Sequence, residues 1–220
     1  SHEGTPTTAL EIAQLSSQLG FPRGVINVVS GTGEGIGRAL VQHPVPRLIT
    51  LTGSVRAGKD VFRNAAEDLK ILRLELGGKA PFIVAEDADI GAAVRAAVLS
   101  RFENCGQICI SNERMYVHER IADEFLERFI VAVKGLKVGD PTAMVDIGPK
   151  FSAPELDKVE RMVEAARVAG AEILTGGRRL TEGEFSRGHW YDPTVMTVSD
   201  NAMAIMQEEV FGPVVPVMKI

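Results

Sequence analysis

The 220-residue sequence predicts an α/β protein built on parallel sheets. Short apolar, β-branched runs alternate with helix-period segments, at a spacing that fits βαβ units. The alternation also restarts after Gly77-Gly78, so two α/β regions are expected, 1–77 and 78–220. The first reads as a parallel βαβ region and the second as a further α/β region.

Taken in order, Thr5-Pro6 predicts a helix start, with Thr as the cap and Pro at the first helical position. Leu10, Ile12, Ala13, Leu15 and Leu19 give that helix an apolar face, and Gly20 stops it. VINVVS at 25–30 is read as a buried strand, followed by GTGEGIG and a short helix to His43. RLITLT at 47–52 is a strand, then Gly53-Ser54 opens a helix to about residue 68, and ILRLEL at 71–76 is the next strand. In the second region APFIVA at 80–85 is a strand, and Asp87 or Asp89 caps a helix reaching about Asn104. RMYVH at 114–118 is a strand, 121–136 and 154–169 are helices, and EILTGG, GHWYDPTVMTV and GPVVPVM are strands.

The formal net charge of −5, with acidic and basic residues interspersed, argues against nucleic acid. No apolar run approaches the length of a membrane span. Two cysteines in C-x3-C spacing make neither a disulfide framework nor a redox pair, and the four histidines, His2, His43, His118 and His189, are too scattered for a metal site. A reducing, cytoplasmic setting is the default. With no initiator methionine, and a last segment ending inside an apparent strand, the chain reads as a piece of a longer protein, cut at Ser1 and at Ile220.

GTGEGIG has the right context for a dinucleotide fingerprint but fails G-x-G-x-x-G, because the third position meets Ile36, Arg38 or Leu40 in the three registers. On its own it reads as a flexible turn. Gly53-Ser54, at a strand end and a helix start, suits an anion, although an N-cap serine is the plainer reading. Glu75 ends an apolar strand beside Gly77-Gly78. It reads equally as a desolvated general base and as a strand-end carboxylate paired with Lys79 or Arg73. Cys105 fits helical spacing with Val98, Arg101 and Phe102 and is expected to pack as a small apolar group. Cys109 falls past Gly106-Gln107 in irregular chain, where a thiolate is accessible as a nucleophile.

Four segments, in this order, resemble the signatures of the NAD(P)-dependent aldehyde dehydrogenase superfamily, and the likeness spans essentially the whole chain. They are TGSVRAG at 52–58, LELGGK at 74–79, FENCGQIC at 102–109 and EEVFGP at 208–213. The segment around Cys109 and the run as a whole resemble the lactaldehyde and glycolaldehyde dehydrogenases, with succinate semialdehyde and aromatic aldehydes left open as substrates. The resemblance implies that 1–77 is the C-terminal half of a Rossmann-type NAD-binding domain and 78–220 the N-terminal part of the α/β catalytic domain, truncated at both ends, with Cys109 the nucleophile and Glu75 the base that activates the deacylating water. It places cofactor contacts at Glu3, Gly53, Ser54, Gly58, Leu76, Gly77, Glu209 and Phe211, with Glu209 on the nicotinamide ribose and Phe211 beside it. An acidic Glu3 on the adenosine ribose favours NAD over NADP. No metal is implied.

The chemistry implied is covalent. Cys109 adds to an aldehyde to give a thiohemiacetal, hydride leaves to the nicotinamide, and water activated by Glu75 releases the acid from the thioester. The parent is expected to be a homodimer or homotetramer acting on a small aldehyde. The family's oxyanion asparagine and ribose-binding lysine would lie ahead of Ser1, so the isolated chain is expected to be inactive. A CoA-acylating or phosphorylating relative, or a non-catalytic structural relative, is the competing reading. Glu75 speaks against the first, and Cys109 together with Glu75 against the second.

Overall fold

The computed structural model describes residues 2–220, so the expectation about Ser1 lies outside the described residues. The chain divides into two compact units, one running to Gly77 and one from Gly78 to Ile220.

In the first unit, β1 (Leu48–Thr52) and β2 (Ile71–Glu75) form a parallel pair, with Leu48 opposite Ile71 and Thr52 opposite Glu75. The intervening α3 (Val55–Ala65) starts at Ser54, whose Oγ accepts the Ala57 N–H at 3.2 Å. It ends before residue 68, and Leu69 turns the chain back with φ 48°. The first helix, α1 (Thr7–Gln18), begins after Pro6 without a side-chain cap, so the expected Thr5 cap is not used. Its apolar residues Leu10, Ile12, Leu15 and Leu19 are exposed in this chain. GTGEGIG forms a wide helical turn (Gly33–Gly37), which Thr32 caps by accepting the Gly35 N–H, and it leads into α2 (Arg38–Gln42).

One expected strand is absent. Residues 25–30 form turns and extended chain, with Val25 60% and Val29 51% exposed. Gly24 takes φ +87° and the Asn27 amide donates back to the Gly24 carbonyl, which closes a turn where the ladder would begin. An apolar β-branched run forms a strand only when a neighbouring strand accepts it, and neither β1 nor β2 does so here.

The second unit holds a five-stranded sheet in the order β3-β4-β9-β8-β5, made by β3 (Ala80–Val84), β4 (Asn112–Val117), β5 (Glu172–Thr175), β8 (Thr194–Thr197) and β9 (Val214–Lys219). All neighbours are parallel except β5 with β8. Between these lie α4 (Ile90–Phe102), capped by Asp89, then α5 (Glu119–Lys134), α6 (Ala153–Val168) and the short α7 (Ala204–Gln207). Both sheet faces are covered. Val215 and Val217 join Phe102, Phe125 and Phe129 on one side, while Val214 and Met196 join Leu156, Val159 and Val163 on the other. That explains why β9 reads as a continuous apolar run rather than an alternating one. Asp192-Pro193 splits the expected GHWYDPTVMTV strand into β7 (Trp190–Tyr191) and β8, and β7 pairs with a β6 (Arg179–Leu180) that was not foreseen.

Candidate functional site

The site in the second unit starts where α4 stops. Phe102 ends the helix, and Asn104, Cys105 and Gly106 then take left-handed conformations, with φ 50°, 59° and 67°. Cys105 is therefore not on the helix as its spacing suggested. The chain leaves because Asn104 and Gln107 clasp each other, Nδ2 of Asn104 donating to the Gln107 carbonyl and Nε2 of Gln107 to the Asn104 carbonyl, at 3.2 and 3.1 Å. The Gln107 side chain also accepts the Phe151 N–H at 2.8 Å, which ties the loop to the segment before α6. Gly106 is required here: a Cβ would overlap the Gly212 carbonyl, on a backbone that L-residues avoid.

The loop separates the two thiols. Cys105 is 1% exposed within the main apolar cluster, as expected, while Cys109 is exposed. Burial pushes the Cys105 thiol up to about 11, against the pull of nearby Lys150 and Arg101. Cys105 is thus a closed, protonated group near neutral pH. Alkylation by iodoacetamide is expected to be more than about a hundredfold faster at Cys109 than at Cys105. Peptide mapping over a time course checks this, and equal rates would contradict the assignment.

Gly78 brings the cysteine loop to the EEVFGP segment. A Cβ at Gly78 would overlap the Cys109 carbonyl oxygen, so the two backbones touch only because residue 78 is glycine. The Gly78 N–H donates to Oε1 of Glu209 at 2.9 Å. Lys79, the next residue, pairs with Glu113 at 3.0 Å. Cys109, Gly78, Glu209 and Phe211 thus form one neighbourhood at the end of the sheet, and Phe211, φ +54°, is half-buried at the turn that follows Glu209.

Beneath this neighbourhood lies a buried ionic cluster that the sequence reading missed. Arg101, 0% exposed, pairs with Glu113 at 3.5 Å and donates to the Asn112, Gly106 and Gly212 carbonyls. Glu113, 2% exposed, accepts the N–H groups of Val210 and Phe211 at 2.7 and 2.8 Å. Buried Lys150 donates to the Phe211 carbonyl, and its Nζ sits 5.5 Å from the centre of that residue's ring. Desolvation pushes Lys150 down to about 8, and it lowers Lys79 and Arg101 too, with Glu113 opposing both of the latter. The missed signal was the position of Glu113: a carboxylate inside a strand whose neighbours Met115 and Val117 both face the core.

The remaining candidates lie in the first unit. Gly53 donates its N–H to the Glu75 carbonyl at 2.9 Å, and Ser54 uses its hydroxyl as the α3 cap while staying exposed. Buried Gly58 lets α3 lie against Leu76, whose side chain a Cβ there would overlap. Gly77 takes φ +82°. Glu3 is exposed in a turn ahead of α1. Glu75 is exposed at the end of β2, which corrects the expectation that it is desolvated. In strand alternation it falls on the open side, with Ile71 and Arg73, whereas Leu72 and Leu74 face inward.

The chain is 46% identical over 216 residues to a 3,6-anhydro-alpha-L-galactose dehydrogenase of Vibrio sp. (strain EJY3), covering 98% of this chain and 45% of that protein. It is 44% identical to a protein of the same name from Streptomyces coelicolor, covering 98% of this chain and 44% of that one. A solved 3,6-anhydro-L-galactose dehydrogenase in complex with NAP superposes with TM-score 0.95 at 47% identity, over 98% of this chain and 46% of that one. Lactaldehyde dehydrogenase from Escherichia coli superposes with TM-score 0.93 at 40% identity, over 98% of this chain and 45% of that one. The chain thus spans less than half the length of these relatives. Among the described residues no helix is long and apolar enough to cross a membrane. The aldehyde dehydrogenase family model matches residues 1–220, and the chain belongs to that family.

Proposed function

We propose that the complete protein carrying this chain oxidises an aldehyde to a carboxylic acid with a nicotinamide dinucleotide. The observation that carries the reading is the convergence on Gly78. An exposed cysteine and a carboxylate from a segment more than 90 residues away meet at one glycine whose substitution would displace the cysteine backbone. The donor set suits the cofactor. Glu209 is held through Oε1, which leaves Oε2 for a ribose hydroxyl, and Phe211 follows two residues on in the same turn. When bound, the dinucleotide supplies the hydride acceptor.

In this reading the Cys109 thiolate adds to the aldehyde carbon, and the loop clasped by Asn104 and Gln107 holds its backbone in place. Glu75, exposed at the end of β2, takes a proton from the water that releases the acid. That step favours hydrolysis over transfer to CoA or phosphate. Glu3, Gly53, Ser54, Gly58, Leu76 and Gly77 serve the nucleotide side. NAD is the expected cofactor, with NADP open because a relative was solved with NAP. The named relatives act on 3,6-anhydro-L-galactose and lactaldehyde. Both compounds carry an oxygen on the carbon next to the aldehyde, so a 2-hydroxy aldehyde is the proposed substrate class. A homo-oligomeric, cytoplasmic enzyme completes the reading, with the isolated chain inactive.

The test follows NADH formation by the complete protein with a panel of 2-hydroxy and simple aldehydes. Cys109→Ala is expected to lower turnover at least about a thousandfold while NAD still binds. Unchanged turnover would sink the covalent mechanism. A wild type silent toward every aldehyde would return the reading to a non-catalytic relative.

A further inference from the structure

We propose that Glu113 is a positioning residue for the cofactor side of the site, setting Glu209 and Phe211 in place through the backbone between them. The proposal rests on the reading that these two residues meet the dinucleotide.

The turn at 210–212 is held in an unusual way. The Val210 and Phe211 N–H groups both point at one carboxylate, Oε2 of Glu113 taking the first at 2.7 Å and Oε1 the second at 2.8 Å. Successive N–H groups aimed at one anion form a nest, and here the anion is a side chain of the protein itself. The next two carbonyls are bound from the other side, Phe211 by Lys150 and Gly212 by Arg101. So the backbone groups that follow Glu209 are gripped in succession by charged side chains, all of them buried or nearly so. Phe211 sits at φ +54° inside this grip, a conformation a phenylalanine does not adopt unless its surroundings impose it.

The grip also closes on itself. Glu113 pairs with Lys79, Lys79 follows Gly78, the Gly78 N–H holds the Glu209 carboxylate, and Glu209 precedes the Val210 N–H that Glu113 holds. A displacement of Glu113 therefore moves Glu209 from two directions at once, through the 209–210 backbone and through the 78–79 backbone. Stability alone does not ask for such a cluster, because well-packed apolar side chains hold an interior at least as well as buried ions. What the ions add is direction: two donors and two acceptors of one turn are each tied to a specific partner.

Glu113→Gln tests this with little change of shape. Its amide accepts one of the two N–H bonds but turns an N–H toward the other. In the complete enzyme the variant is expected to raise the KM for NAD about tenfold. The KM for aldehyde, and the rate at which iodoacetamide alkylates Cys109 without cofactor, are expected to stay within about twofold of wild type. Glu113→Asp keeps both acceptors on a shorter stem and is expected to recover most of the loss. NAD affinity is also measured directly by fluorescence titration without aldehyde, so a wild type that oxidises no aldehyde would remove the proposed function and still leave this inference tested. An unchanged NAD affinity in Glu113→Gln overturns the proposal. So does a parallel loss of NAD affinity, aldehyde KM and melting temperature, which marks a purely structural residue. Should Glu113→Gln not fold, Glu113→Asp decides alone: a rise of about threefold in the NAD KM, with an unchanged aldehyde KM, supports the proposal, and wild-type values overturn it.

Discussion

Alanine at Gly78 is expected to cost the complete enzyme about a hundredfold in turnover, from one added methyl group. The methyl would fall on the Cys109 carbonyl oxygen, an atom of the backbone, so no side-chain rotation relieves the overlap. Either the cysteine loop or the 78–79 segment has to give way. The first response moves the nucleophile; the second moves the N–H that holds Glu209. Displacements of about 1 Å at a reacting group are enough for losses of this size. Stability should fall less, by about 1–3 kcal/mol, as for other overpacked sites. The variant separates position from fold when turnover, melting temperature and circular dichroism are measured together. A Gly78→Ala enzyme with wild-type turnover would show that the contact between these two backbones has no part in the chemistry.

The largest loss of stability is expected at Arg101. Arg101→Met leaves Glu113 without one of its two cationic partners and removes the donor to three carbonyls, those of Gly106, Asn112 and Gly212. Breaking a buried, hydrogen-bonded ion pair from one side costs about 3–5 kcal/mol. In a chain of this size that lowers the melting temperature by roughly 10 °C. Arg101→Lys is not expected to rescue, because one ammonium on a flexible stem cannot reach carbonyls that the planar guanidinium reaches together. Thermal unfolding of both variants checks the expectation. A methionine variant as stable as wild type would mean that the cluster is already compensated by apolar packing.

The parts of this protein that were legible in its sequence are those decided locally. Ser54 and the choice between Asp87 and Asp89, which the structure settles on Asp89, announce their helices because a cap needs only a short polar side chain and the N–H groups just after it. Cys109 was readable as an exposed loop thiol because Gly106-Gln107 ends any helical period ahead of it. What failed depended on partners far along the chain. VINVVS has the composition of a strand, but composition does not supply the neighbour that a ladder requires. Cys105 keeps helical spacing with Arg101 and Phe102, yet the clasp between Asn104 and Gln107 turns the backbone left-handed before it arrives. Glu75 sits in an apolar run, but alternation puts it on the open side of β2. Arg101 and Glu113 were invisible because a buried charge resembles a surface charge until its counterion, twelve residues away, is seen in space.

The sheets of the two units also differ in how they shield their ladders. β4 and β9 lie inside a sheet clothed on both faces, and their amides are removed from water by side chains of α4, α5 and α6. β1 and β2 form a lone pair whose outward residues, Leu48 and Ile71 among them, are about half exposed. A two-stranded parallel ladder is marginal by itself, and low contact density marks where a native structure opens first. Opening is therefore graded along the chain. For this chain by itself, transient breathing, deuterium uptake and the first protease cut belong to the stretch from β1 to β2.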